Sequence, residues 1–204
     1  MKLNEIQLDA LTEIINIGTG RAANALSEIT GSRIDLSMPS LHVCGSSDFG
    51  EVAKTLGLEI STAIKQGFGG EVSGQALLAF PKHNAYELAC AVGEIESSDD
   101  ELDEELYGVL EEIGNIVLNS ILGSVANLLE CNLSYTLPQI CADKTFTKVI
   151  YDCSDSNLCP ESVVLLADTT VTVASRDISG SLLLLFETDD IMVLLSALMD
   201  ESAA

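Results

Sequence analysis

Residues 72–80 read VSGQALLAF and residues 178–186 read ISGSLLLLF, so the same pattern returns after 106 residues (178 − 72). In both places a Ser-Gly pair precedes a nearly continuous apolar run, which is typical of a strand buried on both faces of a sheet. Recurrence of a whole segment at a fixed distance indicates an internal repeat. The chain is therefore predicted to consist of two copies of one unit.

A second pattern recurs earlier in each copy. Glu13-Ile-Ile-Asn16 corresponds to Glu112-Ile-Gly-Asn115 at an offset of 99 residues (112 − 13). Both segments lie in stretches whose apolar residues recur at helical spacing. Each Glu and each Asn is therefore predicted to lie on a long helix.

A proline follows both motifs at the same distance, as Pro39 and Pro138, again 99 residues apart (138 − 39). Each proline is predicted to have a structural role in the first strand of its copy, because proline cannot donate a ladder hydrogen bond. The two offsets differ by seven residues (106 − 99), which the second copy carries between its proline and its Ser-Gly pair. We expect them in a polar loop over residues 143–160.

The whole chain, residues 1–204, is predicted to form a single domain made of these two repeats. The repeats cover about 4–93 and 104–199, and an acidic linker over 94–105 joins them. Such a segment is typical of a solvated connection that leads into the acidic first turn of a helix.

Periodicity and end signals predict the same order of elements in each copy: a long helix, strands, an apolar strand and a shorter helix. Gly31 is expected to end the first helix. The first helix is predicted to begin at Asn4 or Asp9 and to run to about residue 30, and the other predicted helices cover about 83–93, 104–129 and 188–199. The predicted strands cover about 33–37, 59–66, 71–80, 132–136, 162–175 and 177–186. We therefore predict an α/β fold of two repeated halves with pseudo-twofold symmetry. A central, largely antiparallel sheet would carry the two long, motif-bearing helices on one layer.

Charge and composition exclude several classes of function. The chain has 32 acidic and 9 basic residues, a formal net charge of −23, which repels nucleic acid and anionic membrane surfaces. No apolar run approaches the roughly 20 residues of a membrane-spanning helix, and the N-terminus lacks a signal-peptide pattern. We expect a cytoplasmic protein that binds no nucleic acid and does not insert into a membrane.

The six cysteines lie apart from one another without a Cys-x-x-Cys pair, and only His42 and His83 accompany them. Metal sites need closely spaced thiolates or imidazoles, so we expect no metal and no cofactor in this chain. Free thiols are usual in a reducing cytoplasm. The sequence also lacks a P-loop and the Cys-x5-Arg loop of thiol phosphatases.

The first long helix carries Asp9, Glu13 and Asn16 within about 60° of one another, roughly opposite its apolar stripe. Glu112 and Asn115 occupy the matching face of the second long helix. Either pair alone is typical of an ordinary solvated helix face. Because Asn is a mediocre helix former, its return at the same repeat position favours a functional role.

A Glu and an Asn that point into solvent can perform limited but definite chemistry. An Asn side chain donates and accepts hydrogen bonds at once, so it can hold a water molecule in a fixed orientation. A carboxylate can pair with a cationic group of a partner and fix the docking register. The combination suits hydrolysis of a reactive bond on a partner protein that already supplies the metal ion and the charge. The acyl phosphate of a receiver-domain aspartate is such a bond.

The pattern D-x3-E-x2-N-x22-P that starts at Asp9, and its second occurrence E-x2-N-x22-P that starts at Glu112, resemble the signature of the CheC family of chemotaxis phosphatases. That family includes CheX and FliY, and the resemblance extends over nearly the whole chain. It implies two related α/β halves around a common sheet. It also implies an enzyme, a phosphatase that hydrolyses the aspartyl phosphate of the response regulator CheY.

The resemblance implies a role for each matching residue. Glu13 and Glu112 would pair with a lysine of the receiver domain, while Asn16 and Asn115 would orient the attacking water. Mg²⁺ would belong to the receiver rather than to this chain. The resemblance also suggests CheD, a receptor deamidase, as a partner.

One position departs from the family pattern. Asp9 stands four residues before Glu13 and is expected to support it, whereas the second copy has Gly108 at that position. Both sites are expected to act, with the first more intact. Two alternatives stay open: a non-catalytic adaptor that binds CheD, and a component of the flagellar switch.

Overall fold

The computed structural model describes residues 3–45, 48, 51, 60–96, 101–145, 163–173 and 176–201. The α/β class is confirmed within these residues. The elements follow in the order α1 (Glu5–Thr30), β1 (Ile34–Gly45), β2 (Ile60–Gly69), β3 (Gly74–Pro81), α2 (Lys82–Gly93), α3 (Glu104–Leu128), β4 (Ser134–Tyr135), β5 (Gln139–Thr145), β6 (Val163–Val173), β7 (Arg176–Phe186) and α4 (Thr188–Glu201).

Local sequence signals set the ends of both long helices. Asn4 caps α1: its side-chain oxygen accepts a hydrogen bond from the N–H of Gln7 (2.8 Å), and the Gln7 side chain accepts one from the N–H of Asn4 (3.1 Å). Gly31 ends α1 in the left-handed conformation, with φ of 65°. Asp103 caps α3 by accepting a hydrogen bond from the N–H of Leu106 (2.9 Å). Of the two predicted starts of α1, Asn4 is confirmed and Asp9 is wrong; the other predicted limits of these two helices are confirmed to within a residue.

The strands form an antiparallel sheet in the order β1-β6-β7-β3-β2, and both β4 and β5 pair with the far edge of β2. The prediction of a central, largely antiparallel sheet is confirmed for the described strands. The list of predicted strands is wrong at β5, because it contains no strand between residues 136 and 162, and the predicted polar loop begins at residue 143, inside β5. This edge strand carries several polar residues, so apolar alternation gives little signal. The rest of that loop lies outside the described residues.

The pairing of β3 with β7, the strands that carry the repeated Ser-Gly pattern, forms the centre of the sheet. Leu77 lies opposite Leu183, and these two residues are separated by the repeat offset of 106 (183 − 77). The strand order also has this symmetry. If β1 is exchanged with β4 and β5, β2 with β6, and β3 with β7, the same order results when it is read from the opposite edge of the sheet. Both features support the pseudo-twofold relation of the halves, which stays a prediction.

Each Ser-Gly segment is held by the first turn of a helix from the other half. The N–H and the hydroxyl of Ser73 donate to one carboxylate oxygen of Asp190 in α4 (2.9 and 2.8 Å). Reciprocally, the side chain of Asn84 in α2 donates to the backbone carbonyl of Ser179 (2.7 Å). Asn84 and Asp190 are themselves 106 residues apart (190 − 84), so the two halves supply equivalent contacts.

The glycines of this pattern are needed because the neighbouring strand lies too close for a side chain. A Cβ on Gly74 would collide with the carbonyl oxygen of Leu185. A Cβ on Gly180 would collide with the Phe80 ring and lie 2.9 Å from the carbonyl oxygen of Ala79. Close-packed backbone in the middle of a sheet cannot move aside cheaply. The repeated Ser-Gly pair is therefore a packing requirement of β3 and β7.

The apolar run of β7 is buried on both faces of the sheet, as predicted. Leu182, Leu184 and Phe186 belong to the core between the sheet and the helices. Leu183 and Leu185 alternate with them and point to the opposite face, and all five residues are at most 2% exposed.

Helices α1 and α3 contribute to the same core and pack against each other, which places them in one layer. The two helices lie very close at Gly18 of α1, where a Cβ would lie 2.6 Å from the Cα of Ile121 of α3. Helical spacing predicts an apolar stripe on α1 that runs from Leu11 to Ile29, and this prediction is wrong at Ile29, which is 65% exposed. Ile29 lies in the last turn of α1, beyond Leu26, the last residue of this helix in the core.

Within the described residues, α3 is long and apolar enough to cross a membrane by length and composition. The prediction that no segment approaches this limit is therefore wrong for α3. In the fold, however, 56% of its apolar window is buried, and Leu110, Val117 and Ile121 pack in the core. A buried core helix of a soluble protein has the same composition, so burial accounts for the apolar character of α3.

Gly18→Ala should destabilise the protein, because the added methyl group would push α1 away from α3. Overpacking of this kind lowers the free energy of unfolding by about 1–3 kcal/mol. On the same helix, Gly20 has open space around it, so Gly20→Ala should raise the free energy of unfolding by about 0.5–1 kcal/mol. Urea unfolding followed by circular dichroism measures both changes. Effects of the same sign and size would contradict the close helix contact.

Candidate functional site

Helix α1 presents three of the predicted functional residues on its solvent face. Asp9, Glu13 and Asn16 are all exposed, whereas Ile14 and Ile15 between them are buried. Residues three, four and seven positions apart share one side of a helix. The structure therefore places the first Glu-Asn pair, together with Asp9, on one accessible surface.

Helix α3 presents the second pair less openly, since Glu112 is exposed but Asn115 is half-buried. Gly114 lies against β2, where a Cβ would collide with the side chain of Ile64. The matching residue of α1 is Ile15 (114 − 99). A glycine at this position lets α3 approach the sheet closely, which brings the neighbouring Asn115 towards β2.

Asn16 lies beside a small cleft between α1 and β1. Met38, Ser40 and Leu41 of β1 line the strand side of this cleft, and Thr12 lines the helix side. Asn16 therefore lies next to the part of β1 that contains Pro39, the proline of the first motif.

Both prolines lie where a strand of the motif half is interrupted. The ladder of β1 with β6 shifts register between Ser37 and Ser40, and Pro39 lies within this irregularity. Pro138 directly precedes Gln139, the first residue of β5, in the gap between β4 and β5. Proline has no N–H to donate, so such positions accept it. The structural role of both prolines stays a prediction.

A chain of side-chain hydrogen bonds holds Asn115. Its Oδ1 accepts from Nδ2 of Asn119, one helical turn later, at 2.8 Å. Oδ1 of Asn119 accepts from Nε2 of Gln66 in β2 (3.0 Å), and the same Nε2 donates to the backbone carbonyl of Thr136 (3.0 Å).

Sequence reasoning does not find Asn119 and Gln66. The available signals are weak: a second Asn four residues after Asn115 on the same helix face, and a Gln on the core-facing side of β2. Neither signal indicates by itself that the helix and the strand are close enough for their side chains to bond.

Neither motif glutamate has a partner among the residues that the structure describes, since no hydrogen bond or ion pair joins Glu13 or Glu112 to another described side chain. Asp9 makes no bond to Glu13 either, so its supporting role stays a prediction. Gly108 is exposed, with open space around it. The second copy thus has no counterpart of Asp9.

The surface around the two pairs is acidic. The sequences of α1 and α3 together contain one basic residue, Arg21, whereas α3 alone carries four glutamates. The Arg21 guanidinium donates to the hydroxyl of Ser124 (3.3 Å) in a groove between the two helices. An electrostatically complementary partner would present cations to this surface.

Metal chemistry has no support in the described ranges, where no group of three or more His, Cys, Asp or Glu side chains could hold a metal ion. The expectation that the chain has no metal or cofactor of its own stays a prediction. The described cysteines are free thiols, as expected: Cys44, Cys90, Cys131 and Cys141.

A thiolate nucleophile is disfavoured at two of the described cysteines. Burial raises the pKa of the Cys44 thiol, and the nearby Asp48 carboxylate raises it further. Burial, followed by the Glu71 carboxylate, raises the pKa of Cys131. A raised pKa keeps a thiol protonated at neutral pH, whereas a catalytic cysteine needs a lowered one.

Two family models match the chain. The CheC-like family matches residues 6–43, and the chemotaxis phosphatase CheX matches residues 62–157. The first range contains one Glu-x-x-Asn motif with its proline, and the second range contains the other motif with its proline.

Among curated proteins, the chain is similar to the CheY-P phosphatase CheC of Bacillus subtilis, with 23% identity over 144 residues that cover 69% of this chain and 68% of that protein. It is also similar to the flagellar motor switch phosphatase FliY of the same organism, with 26% identity over 140 residues. That alignment covers 68% of this chain but 36% of FliY.

Among solved structures, FliY of Thermotoga maritima matches with a TM-score of 0.71 at 19% identity, over 98% of this chain and 99% of that one. The middle domain of FliM from H. pylori matches with a TM-score of 0.69 at 11% identity, over 96% and 99% of the two chains. At these identities the likeness shows a common fold.

Cys44 should react slowly with iodoacetamide near neutral pH, because its raised pKa leaves less thiolate than an ordinary cysteine has. The rate should increase as the pH rises through that raised pKa. Peptide mapping by mass spectrometry after timed alkylation follows this residue separately, with glutathione as the reference thiol. A rate equal to that of glutathione would contradict the inferred protonation of Cys44.

Proposed function

This chain belongs to the CheC-type family of chemotaxis phosphatases, and we propose that it hydrolyses the aspartyl phosphate of a CheY-type receiver domain. One observation carries the proposal. Two Glu-x-x-Asn pairs lie on neighbouring helices of one layer, and both glutamates are exposed without an ion-pair partner among the described residues. Both carboxylates are therefore available to a docked protein.

Asn16 and Asn115 are proposed to orient the attacking water. The amide oxygen can accept a hydrogen bond from the water while the amide NH₂ donates one to a phosphoryl oxygen. Together the two hydrogen bonds align the water for in-line attack on phosphorus. The water oxygen bonds to phosphorus, both water protons stay with the released phosphate, and the aspartate leaves as a carboxylate. Because an acyl phosphate has a good leaving group, positioning the water is the main missing contribution.

Glu13 and Glu112 are proposed to pair with a lysine of the receiver. A charge-assisted contact of this kind fixes the orientation of two surfaces, even where it adds little affinity. Each Glu lies three residues from its Asn on the same helix face. Docking of the Glu therefore sets the place of the Asn amide relative to the phosphoryl group. Mg²⁺ is proposed to belong to the receiver, where it would balance the phosphoryl charge.

The net charge of −23 opposes docking, because the phosphorylation pocket of a receiver is itself acidic. Salt limits this repulsion, since exposed charges farther apart than about 8–10 Å are largely screened at physiological ionic strength. The short-range contact between glutamate and lysine is screened much less. The local pairing is therefore proposed to decide the docking.

Combined Asn16→Ala and Asn115→Ala substitutions should lower the stimulated release of phosphate from a phosphorylated receiver by about 100-fold or more, because the water loses its positioning group. Receiver binding and the fold should be retained, since neither side chain lies in the hydrophobic core. Phosphate release measures the rate, and titration with a beryllofluoride-treated receiver measures the binding.

The matched control combines Asn24→Ala with Asn127→Ala, because these exposed residues lie on the same two helices outside the motif. This control should keep the unmodified rate. A motif variant as active as the unmodified protein would contradict the catalytic assignment. Binding of CheD stays a prediction, and a purely adaptor function would leave phosphate release unchanged in every variant.

Glu13→Gln combined with Glu112→Gln should raise KM for the phosphorylated receiver by about 3–10-fold, with a smaller change in kcat, because an exposed ion pair contributes up to about 1 kcal/mol. KM should also become less sensitive to salt. Glu28→Gln combined with Glu111→Gln removes two exposed charges from the same helices as a control. An equal rise of KM in the control would indicate diffuse charge and contradict the specific pairing.

A further inference from the structure

We propose that Asn119 and Gln66 are positioning residues that hold the amide of Asn115 in one orientation. The kinetic consequence rests on the proposed phosphatase function, whereas the orientation itself rests on the hydrogen bonds alone. Neither residue belongs to the Glu-x-x-Asn motif. Both act through Asn115 rather than on the reacting atoms.

The chain of hydrogen bonds has a single polarity. It starts at the backbone carbonyl of Thr136, which can only accept. Gln66 must therefore turn its NH₂ group towards Thr136, and the same group donates to Oδ1 of Asn119 (3.0 Å each). Asn119 then has its own NH₂ group to donate to Oδ1 of Asn115 (2.8 Å). One carbonyl thus determines which end of each amide points to Asn115.

The anchor of this chain is fixed to the sheet. The N–H of Thr136 donates to the carbonyl of Gly67 (2.9 Å), and the hydroxyl of Thr136 accepts from the N–H of Gly67 (2.9 Å). Thr136 is thereby tied to β2, the strand that also carries Gln66. The hydrogen bonds therefore connect Asn115 to the sheet rather than to an independent loop.

The burial of Gln66 favours a directional role over a stabilising one. Gln66 is 1% exposed, and its Oε1 has no hydrogen-bond partner among the described residues. A buried amide oxygen without a partner is unfavourable, and an apolar residue at this core-facing position would avoid that cost. The two hydrogen bonds that Gln66 donates account for its presence.

The hydrogen bonds leave Asn115 with a defined surface for a ligand. Asn119 occupies one lone pair of Oδ1, so the second lone pair and both Nδ2 hydrogens stay available. A freely rotating Asn side chain presents its oxygen and its nitrogen to the ligand in turn, and only one of these two orientations is productive. Holding the amide in advance removes this requirement.

The first site lacks these bonds and provides an internal comparison. Within the described ranges the Asn16 side chain has no hydrogen bond, and the residue that matches Asn119 is Gly20 (119 − 99). Thr169 lies opposite the irregularity of β1, much as Gln66 lies opposite the gap between β4 and β5. The hydroxyl of Thr169 is buried without a hydrogen-bond partner among the described residues, which therefore show no polar link from this strand to Asn16.

Asn119→Leu removes both hydrogen bonds while it keeps the branching and the number of heavy atoms of the side chain. In an Asn16→Ala background, where the second site alone retains its Asn, it should lower kcat about tenfold and leave KM within about twofold, because orientation rather than docking is lost. In an Asn115→Ala background the same substitution should leave kcat unchanged. Phosphate release from a receiver at saturating concentration measures kcat in each case.

Asn119→Asp is the second variant, because a carboxylate still accepts from Gln66 but cannot donate to Asn115. It should lose as much kcat as Asn119→Leu in the Asn16→Ala background. An equal loss of kcat in both backgrounds would indicate a general effect on the fold and overturn the proposal. Unchanged kcat in the Asn16→Ala background would overturn it as well.

Nuclear magnetic resonance tests the orientation without any activity. In the unmodified chain the side-chain ¹⁵N order parameter should exceed about 0.6 for Asn115 and fall below it for Asn16. Asn119→Leu should lower the Asn115 value to that of Asn16. Equal mobility of the two amides in the unmodified chain would overturn the positioning. An ordered Asn115 amide without any phosphate release would instead overturn the proposed function.

Discussion

The close approach of β3 to β7 is the constraint on which the rest of the structure depends. Gly74 and Gly180 leave no room for a side chain, and the register they allow places Leu77 opposite Leu183 at the centre of the sheet. The other strands follow outward from this pair on both sides. The helices contribute to one core on one face of the sheet, so α1 and α3 meet in a single layer. Both Glu-x-x-Asn pairs consequently lie on helices of the same layer.

The depth of each long helix then determines how its Asn meets solvent. Ile15 in α1 and Gly114 in α3 occupy the same repeat position, and the glycine lets α3 lie against β2. As a result Asn16 is exposed, whereas Asn115 is half-buried and bonded through its neighbour to the sheet. Two copies of one motif therefore differ in environment through a residue at a position that the motif leaves variable. Similar motif sequences therefore do not imply that the two asparagines have the same burial and the same hydrogen bonds.

Much of the fold could be predicted because its signals are local. Asn4, Gly31 and Asp103 cap or end helices through contacts within a few residues. Each buried strand is likewise indicated by nine consecutive residues, the Ser-Gly pair and its apolar run. β5 could not be predicted, since an edge strand tolerates polar residues and loses its alternation. The bond from Gln66 to Asn119 joins residues 53 positions apart and depends on helix depth. The exposed Glu and Asn could be predicted, whereas the residues that hold Asn115 could not.

The reciprocal bonds of the two Ser-Gly segments limit how the chain can be divided. Severed in the acidic linker, either half would lose the side chain that holds its own serine and would present its innermost apolar strand as an unpaired edge. Such an edge pairs readily with another strand. In the intact chain that innermost strand is paired with its counterpart from the other half. Covalent continuity through the linker thus supplies a pairing of strands that separate halves would form only in a concentration-dependent way.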